Sequence, residues 1–424
     1  MPITVFDAIR GNVSSFLGGA EVDLAHAGAD SEAAESGIRE IVSIEKSDYV
    51  FTADRTSLSF TIAEKAFCRE LLTAFAGLYS GFNLEGYAAH FRTALLASIM
   101  DITVARSLRG DHNKGFWPIQ QLIQLLKDLS YQCYEGTPAT TGFIIHRTTA
   151  ENLRSLVRAR RHVIVPLSPP QTVSASFFNN PLTYRLVDGT NQFFLANIQM
   201  QVVGAVGIGD HVGQNNVERL TQRELFSIVS RSGKGAFAIT VNEASEIEVL
   251  TTPAKILVRR KGGWRIFDPD IFRAFLAGAL ELSAADDLLW TAYALSKSRH
   301  GTVILIYSDI ARRLSTLKKG SVGGDDPVCR TLIDRAKGSK LADLKKSGTL
   351  LRILSSDGMT VFNRHGRLLE TGFIIDTSHV REIVTGGGRT TAASAASFFG
   401  KVVKVSQDGH IELYEEGRMI YRFG

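Results

Sequence analysis

Gly301-Thr302-Val303-Ile304-Leu305-Ile306-Tyr307 is an almost wholly apolar run, bounded by Ser298-Arg299-His300 before it and Ser308-Asp309 after it. It lacks the alternation of a half-exposed strand, so the strand it predicts is buried on both faces, as at the centre of an α/β sheet. Helical spacing over residues 270–282 and 284–297 leads up to it. Beyond it come a Gly-rich loop at 320–324, a charged helix, and strands over 360–363 and 368–375 joined across Arg364-His365-Gly366. A second glycine-rich loop opens a helix that runs to Phe399. Strands over 402–406 and 410–414 then pair across Asp408-Gly409, a strong hairpin signal. Strands and helices mixed in this order predict an α/β fold with a mixed sheet flanked by helices.

Two short segments between these elements carry chemistry. Ser356-Asp357-Gly358-Met359 sets a carboxylate beside a glycine at the mouth of an apolar strand, and Gly386-Gly387-Gly388-Arg389-Thr390-Thr391-Ala392-Ala393 runs as a loop into a helix of small residues. A carboxylate can hold a divalent cation, while helix N-terminal amides and an arginine can hold phosphates. The bland alternative is a turn at Asp357-Gly358 and a plain helix entry at the glycines. A turn needs one glycine, however, and three in a row cost about 0.5 to 1 kcal/mol each relative to Ala when ordered. Close approach of a ligand to the backbone accounts for them, and Arg389 makes that ligand an anion. Asp309, after the buried strand, offers a possible second metal contact. Asp325 and Asp326 lie in a Gly-rich loop read as solvated, and His300 and His365 sit at turns as surface residues.

The remainder shows no comparable site. At 424 residues the chain is too long for one ordinary core. Its texture divides into a mainly helical N-terminal region (1–140), a β-rich α+β middle region (141–283) and the α/β region (284–424). Helical spacing recurs over 57–79, 91–108 and 119–129, after an irregular start, with Phe116-Trp117 folded back from a loop. The middle region reads as strands over 143–146 and 162–167 around a helix capped by Thr148 and Glu151. Strands over 183–187 and 192–203 follow, then a helix with a Thr221/Glu224 capping box and a meander from 236 to 267. Gly204-Ala205-Val206-Gly207-Ile208-Gly209 lacks a following helix. Gly233-Lys234-Gly235 lacks the earlier glycine and the Ser or Thr of a phosphate loop.

Composition narrows the class. The 44% hydrophobic and 21% charged content is that of a globular protein. With no apolar run of about 18 residues and no secretion-type leader, the expectation is a cytoplasmic protein without a membrane span. Cys68, Cys133 and Cys329 are too scattered for a disulfide framework or a cysteine zinc site. A net charge of +5 is mild, which argues against a duplex nucleic-acid binder and leaves small anions as partners.

Residues 284–424 resemble the diadenylate cyclase domain family. The likeness is an ordered series: the helix and Gly-started strand over 301–306, Asp357-Gly358-Met359, the Gly387-Gly388-Arg389 loop opening a helix through Ala393, and Val405-Ser406-Gln407-Asp408 before a hairpin. Cyclising members join two ATP molecules into cyclic di-AMP, with two domains face to face and a Mg²⁺ or Mn²⁺ ion at each site. The resemblance implies that Asp357 and Arg389 are catalytic and that Asp357 and Asp408 lie on the metal side. It implies a nucleotide-binding set of Gly358, Met359, Gly386, Gly387, Gly388, Arg389, Thr390, Thr391 and Ser406. It also implies at least a dimer when active.

Two departures shift the expected product. The family's Gly-Thr-Arg-His-Arg is here Gly387-Gly388-Arg389-Thr390-Thr391, which removes an imidazole and a cation. Its Ser-Glu-Glu is Ser406-Gln407-Asp408. The chain looks like a divergent branch of the kind found in bacterial nucleotide signalling and anti-phage defence. The expected function is a metal-dependent nucleotidyltransferase that joins ATP, or another NTP or dNTP, into a dinucleotide signal other than ordinary cyclic di-AMP. The alternative is an inactive nucleotide sensor that regulates its own N-terminal region or a partner effector protein.

Overall fold

A computed structural model of the chain describes residues 2–28, 37–80, 98–109, 115–147, 164–208, 216–231, 235–252, 255–308, 314–377 and 387–424. Thr148, Glu151, Gly209, Gly233, Lys234, Asp309 and Gly386 lie outside the described residues. The chain forms two compact units, the first comprising residues 1–55, 59–210 and 222–268, the second residues 56–58, 211–221 and 269–424.

The first unit begins with helix Pro2–Phe16 and a three-stranded antiparallel sheet of β1 (Glu21–His26), β2 (Ile38–Ile44) and β3 (Ser47–Asp54), in the order β1-β3-β2. The N-terminal region therefore contains a sheet where an irregular start was expected. Its inward residues Val22, Leu24, Ile38 and Ile44 alternate with exposed polar ones, the pattern of a strand with one wet face. Helices Ile62–Ser80, Ile99–Arg109 and Trp117–Ser130 follow. Phe116 is buried, as expected, but Trp117 is exposed at the start of a helix.

A small ribbon of β4 (Cys133–Tyr134) and β5 (Thr137–Pro138) comes next. It is followed by β6 (Thr141–His146), β7 (Ile164–Thr172), β8 (Gln192–Asn197), β9 (Gln201–Gly207), β10 (Phe237–Val241), β11 (Ile247–Thr251), β12 (Lys255–Arg260) and β13 (Gly263–Phe267). These eight form one sheet in the order β13-β12-β11-β10-β6-β8-β9-β7, antiparallel except for β6 beside β8. Three expectations change here. Residues 183–186 belong to helix Pro181–Leu186, with Val187 as its C-cap, because the Asn180 side chain accepts from the Leu182 amide and Pro181 fits the first turn. The single strand over 192–203 is a hairpin, turned where Asn197 Oδ1 accepts from the Gln199 and Gln201 amides. Thr221 donates back to the Val217 carbonyl and so closes helix Asn216–Leu220, while the next helix starts at Arg223.

The second unit is built on a seven-stranded mixed sheet. Its strands are β14 (Thr302–Tyr307), β15 (Lys318–Ser321), β16 (Met359–Phe362), β17 (Leu368–Ile375), β18 (Gly400–Val405), β19 (Ile411–Glu415) and β20 (Arg418–Phe423), in the order β15-β17-β16-β14-β18-β19-β20. The apolar run is the central strand, parallel to β16 with Val303 opposite Met359 and antiparallel to β18 with Thr302 opposite Val405. Val303, Leu305, Val361 and Val402 pack with Ala393 and Ala396 of helix Gly388–Ala396. Helix Leu282–Lys297 packs on β18 and β19, and its Tyr293 ring meets Phe423. Small residues at 392–396 let the first of these helices lie close to the sheet.

Candidate nucleotide site at one sheet edge

The strand directions bring four separated segments to the same edge of the second sheet. His300-Gly301 lead into β14 and Asp357-Gly358 into the parallel β16, so both stand at the strands' starting ends. Antiparallel β18 finishes there, which places Ser406-Gln407-Asp408 beside them. Helix Gly388–Ala396 begins at the same edge. The link is direct: Arg389 Nη2 lies 3.5 Å from Asp357 Oδ1.

Glycine is required at Gly358 for steric reasons, and at Gly301 it leaves room for a neighbouring side chain. Gly358 has φ of +87°, and a Cβ there would sit 2.6 Å from the carbonyl carbon of Gly372. A Cβ on Gly301 would lie 2.7 Å from Arg389 Nη1 and 3.2 Å from Gln407 Cγ. The backbone of Gly301 is therefore the shelf on which the Arg389 guanidinium rests. The side chains of Asp357 and Arg389 are 82% and 41% exposed, so this pair is open to a ligand.

The other expected residues are placed as follows. Gly387 is the N-cap of its helix, with extended backbone, and its carbonyl accepts from the Thr390 amide at 2.8 Å. Gly388 opens the helix with nothing near where a Cβ would be. Met359 is buried in the core cluster with Val303 and Phe373, so it can offer a ligand its backbone but not its side chain. Ser406 Oγ accepts from the His410 amide at 3.2 Å and shapes the β18–β19 turn. Asp408 is exposed on that turn, and its carbonyl accepts from Arg299. Asp326 caps helix Pro327–Ala336, accepting from the Val328 and Cys329 amides. His365 pairs with Glu281 at 2.6 Å.

A buried polar network beneath the helix start escaped the sequence reading. Lys404 Nζ donates to Thr390 Oγ1 and to Glu412 Oε2, each at 2.7 Å, and the Tyr414 hydroxyl donates to the same carboxylate oxygen at 2.8 Å. Arg422 Nε stands 3.6 Å from the other oxygen. Burial alone would raise the Glu412 carboxyl, but the hydrogen bonds from Lys404 and Tyr414 and the charges of Lys404 and Arg422 outweigh it and hold it below its ordinary value. Burial, then Glu412, pushes the Tyr414 phenol well above its own. With its oxygen accepting from an ammonium, the Thr390 hydroxyl keeps its proton to donate outward. The signal was present in the sequence: the Asp408-Gly409 turn sets a register that puts Lys404 opposite Glu412, an opposite-charge pair inside an apolar hairpin.

Among the described residues no group of three or more His, Cys, Asp or Glu is arranged to enclose a metal. Asp357 is a solvent-facing oxygen donor on this edge, as is the exposed Asp408 on the neighbouring turn. Such donors suit Mg²⁺ or Mn²⁺ in a nucleotide site, where one or two carboxylates act with water and substrate phosphates. Also among the described residues, no helix is long and apolar enough to cross a membrane.

No family profile matches the chain, and no curated protein does. Among solved structures it is similar to the crystal structure of the hypothetical membrane spanning protein from Bacillus cereus. That likeness has 14% identity over 37% of this chain and 73% of that one, with a TM-score of 0.27.

Proposed function

We propose that the second unit is a divergent diadenylate-cyclase-type domain that binds nucleoside triphosphates at this sheet edge and joins two of them into a dinucleotide. The observation that carries the reading is the convergence of Asp357-Gly358 and Gly387–Arg389, far apart in sequence, into an open carboxylate and guanidinium 3.5 Å apart. Arg389 and the first amides of its helix bind and orient phosphate oxygens, and they stabilise the charge that grows on them in the transition state. Gly358 lets the chain come close to the nucleotide. Asp357 would hold a Mg²⁺ or Mn²⁺ ion, which when bound supplies charge neutralisation at the phosphates. In the reaction a ribose hydroxyl oxygen of one nucleotide bonds to the α-phosphorus of another. The bond to the β-phosphate oxygen breaks, pyrophosphate leaves, and the hydroxyl proton passes to solvent. Two sites must face each other, so the active species is at least a dimer, drawing on the cytoplasmic nucleotide pool.

A second reading is a sensor without turnover, signalling to the first unit or to a partner effector. Thr390 and Thr391 favour it, because they stand where cyclising members carry a His and an Arg. Incubation with each NTP and dNTP plus Mg²⁺ or Mn²⁺, followed by mass spectrometry, separates the two. The first predicts a dinucleotide with one pyrophosphate per bond formed, abolished in Asp357→Ala. Bound, unaltered nucleotide supports the sensor, and the absence of any bound nucleotide overturns both.

A further inference from the structure

A second feature of the same unit extends this reading. A cleft of about 280 Å³ is lined by Arg219, Arg352, His300, Ser298 and Ser355 over a floor of leucines, with no carboxylate among the described residues that line it. Arg219 comes from helix Asn216–Leu220, which packs on helix Leu282–Lys297, and Arg352 comes from helix Leu350–Leu354. His300 Nδ1 and Ser298 Oγ are 3.0 Å apart at the turn into β14. Two guanidiniums and an imidazole with no acid select an anion, while the Ser298 and Ser355 hydroxyls donate to the Ala294 and Arg352 carbonyls and only line the space. At roughly 30 Å³ per water molecule, the space accommodates a diphosphate group with some of its hydration.

The cleft adjoins the sheet edge already described. Ser355 stands two residues before Asp357, and His300 directly precedes Gly301, whose backbone supports Arg389. We infer that this cleft receives the β- and γ-phosphates of a nucleoside triphosphate whose α-phosphate lies at Arg389, an inference that rests on the nucleotide reading above. The positive charge missing at Thr390 and Thr391 is then supplied by Arg219 and Arg352 from neighbouring elements. Arg219 belongs to a segment far outside residues 284–424, so the substrate site is completed by an insertion from earlier in the chain.

Calorimetry of the full chain with Mg²⁺ tests this, using the four ribonucleoside triphosphates and their monophosphates. In the double variant Arg219→Ser, Arg352→Ser, triphosphate affinity falls about tenfold or more, while monophosphate affinity stays within about twofold. In Arg389→Ala both fall together. Triphosphate affinity unchanged in the double variant overturns the inference but leaves the nucleotide site standing. A parallel fall for mono- and triphosphates in that variant also overturns it, because a general disturbance of the edge would explain the loss. If the wild-type chain binds none of these nucleotides, the parent reading fails and this one with it. Circular dichroism matching the wild type shows that the surface substitutions leave the fold intact.

Discussion

In the first unit the Glu64 side chain has no exposed surface, and both its oxygens are taken by Arg55, at 2.9 and 3.1 Å. In the second unit Asp357 is 82% exposed and meets Arg389 at 3.5 Å. Both are acid–guanidinium pairs, but they answer to different requirements. Glu64 also accepts from the Thr61 amide, and its own amide donates to Thr61 Oγ1, so it closes a capping box at the start of helix Ile62–Ser80. Asp101 is similar: Trp264, Gln124 and Lys127 all donate to it. A buried charge must have its partners within the fold, because desolvating it without them is costly. A charge at an open edge can exchange one partner for a ligand at little cost, and it is there that a binding role is physically cheap.

The largest effect that could break this contrast is on stability. Glu64→Ala strands the Arg55 guanidinium in a buried site, at a cost of about 3 to 5 kcal/mol. Urea unfolding in a Trp290→Phe background checks it, since Trp117 and Trp264 then report on the first unit alone. A loss below about 1 kcal/mol, the level of an exposed pair, would show that the pair is not the closed device described here.

How much of this was legible in the sequence depended on the pattern at each site. The run over 302–307 announced the central strand because its lack of alternation leaves few other readings, and Asp408-Gly409 announced a hairpin through its turn chemistry. The nearness of the Asp357 and Arg389 segments could be read from the order of elements. The first sheet was obscured by charged residues on its wet face, as in Glu21-Val22-Asp23-Leu24. Residues 183–187 read as a strand, but Asn180-Pro181 decided for a helix. The pairing of Lys404 with Glu412 was legible in the hairpin register and was overlooked, whereas its contact to Thr390 and the place of Arg219 in the cleft lie across the fold, in no local window.

A smaller effect sharpens the contrast within the second unit, where the Lys404–Glu412 pair is also buried. Because the folded state holds the Glu412 carboxyl below its ordinary value of 4.5, its contribution is fully present above about pH 4.5 and is lost as pH falls through the lower folded value. Glu412→Gln should cost about 2 kcal/mol at neutral pH. It should also flatten the fall in stability of the second unit below pH 4.5, as followed by denaturant midpoints across an acid series. An unchanged acid profile would mean that Lys404 and Tyr414 do not stabilise the ionised form. Lys404 would then lose its role as the fixed cation under Thr390.

The smallest expected change in stability is also the one with most bearing on function. Asp357→Ala removes a carboxylate that is largely in water and whose ion pair is long, so the unfolding midpoint should move by less than about 0.5 kcal/mol equivalent. If Asp357 existed to hold Arg389 in place, its removal would be felt by the fold, and the edge would be another structural ion pair. If it exists for a ligand, stability stays level while divalent-dependent nucleotide binding, measured on the same preparation, is lost. That pairing of results would separate the open pair of the second unit from the closed pairs of the first.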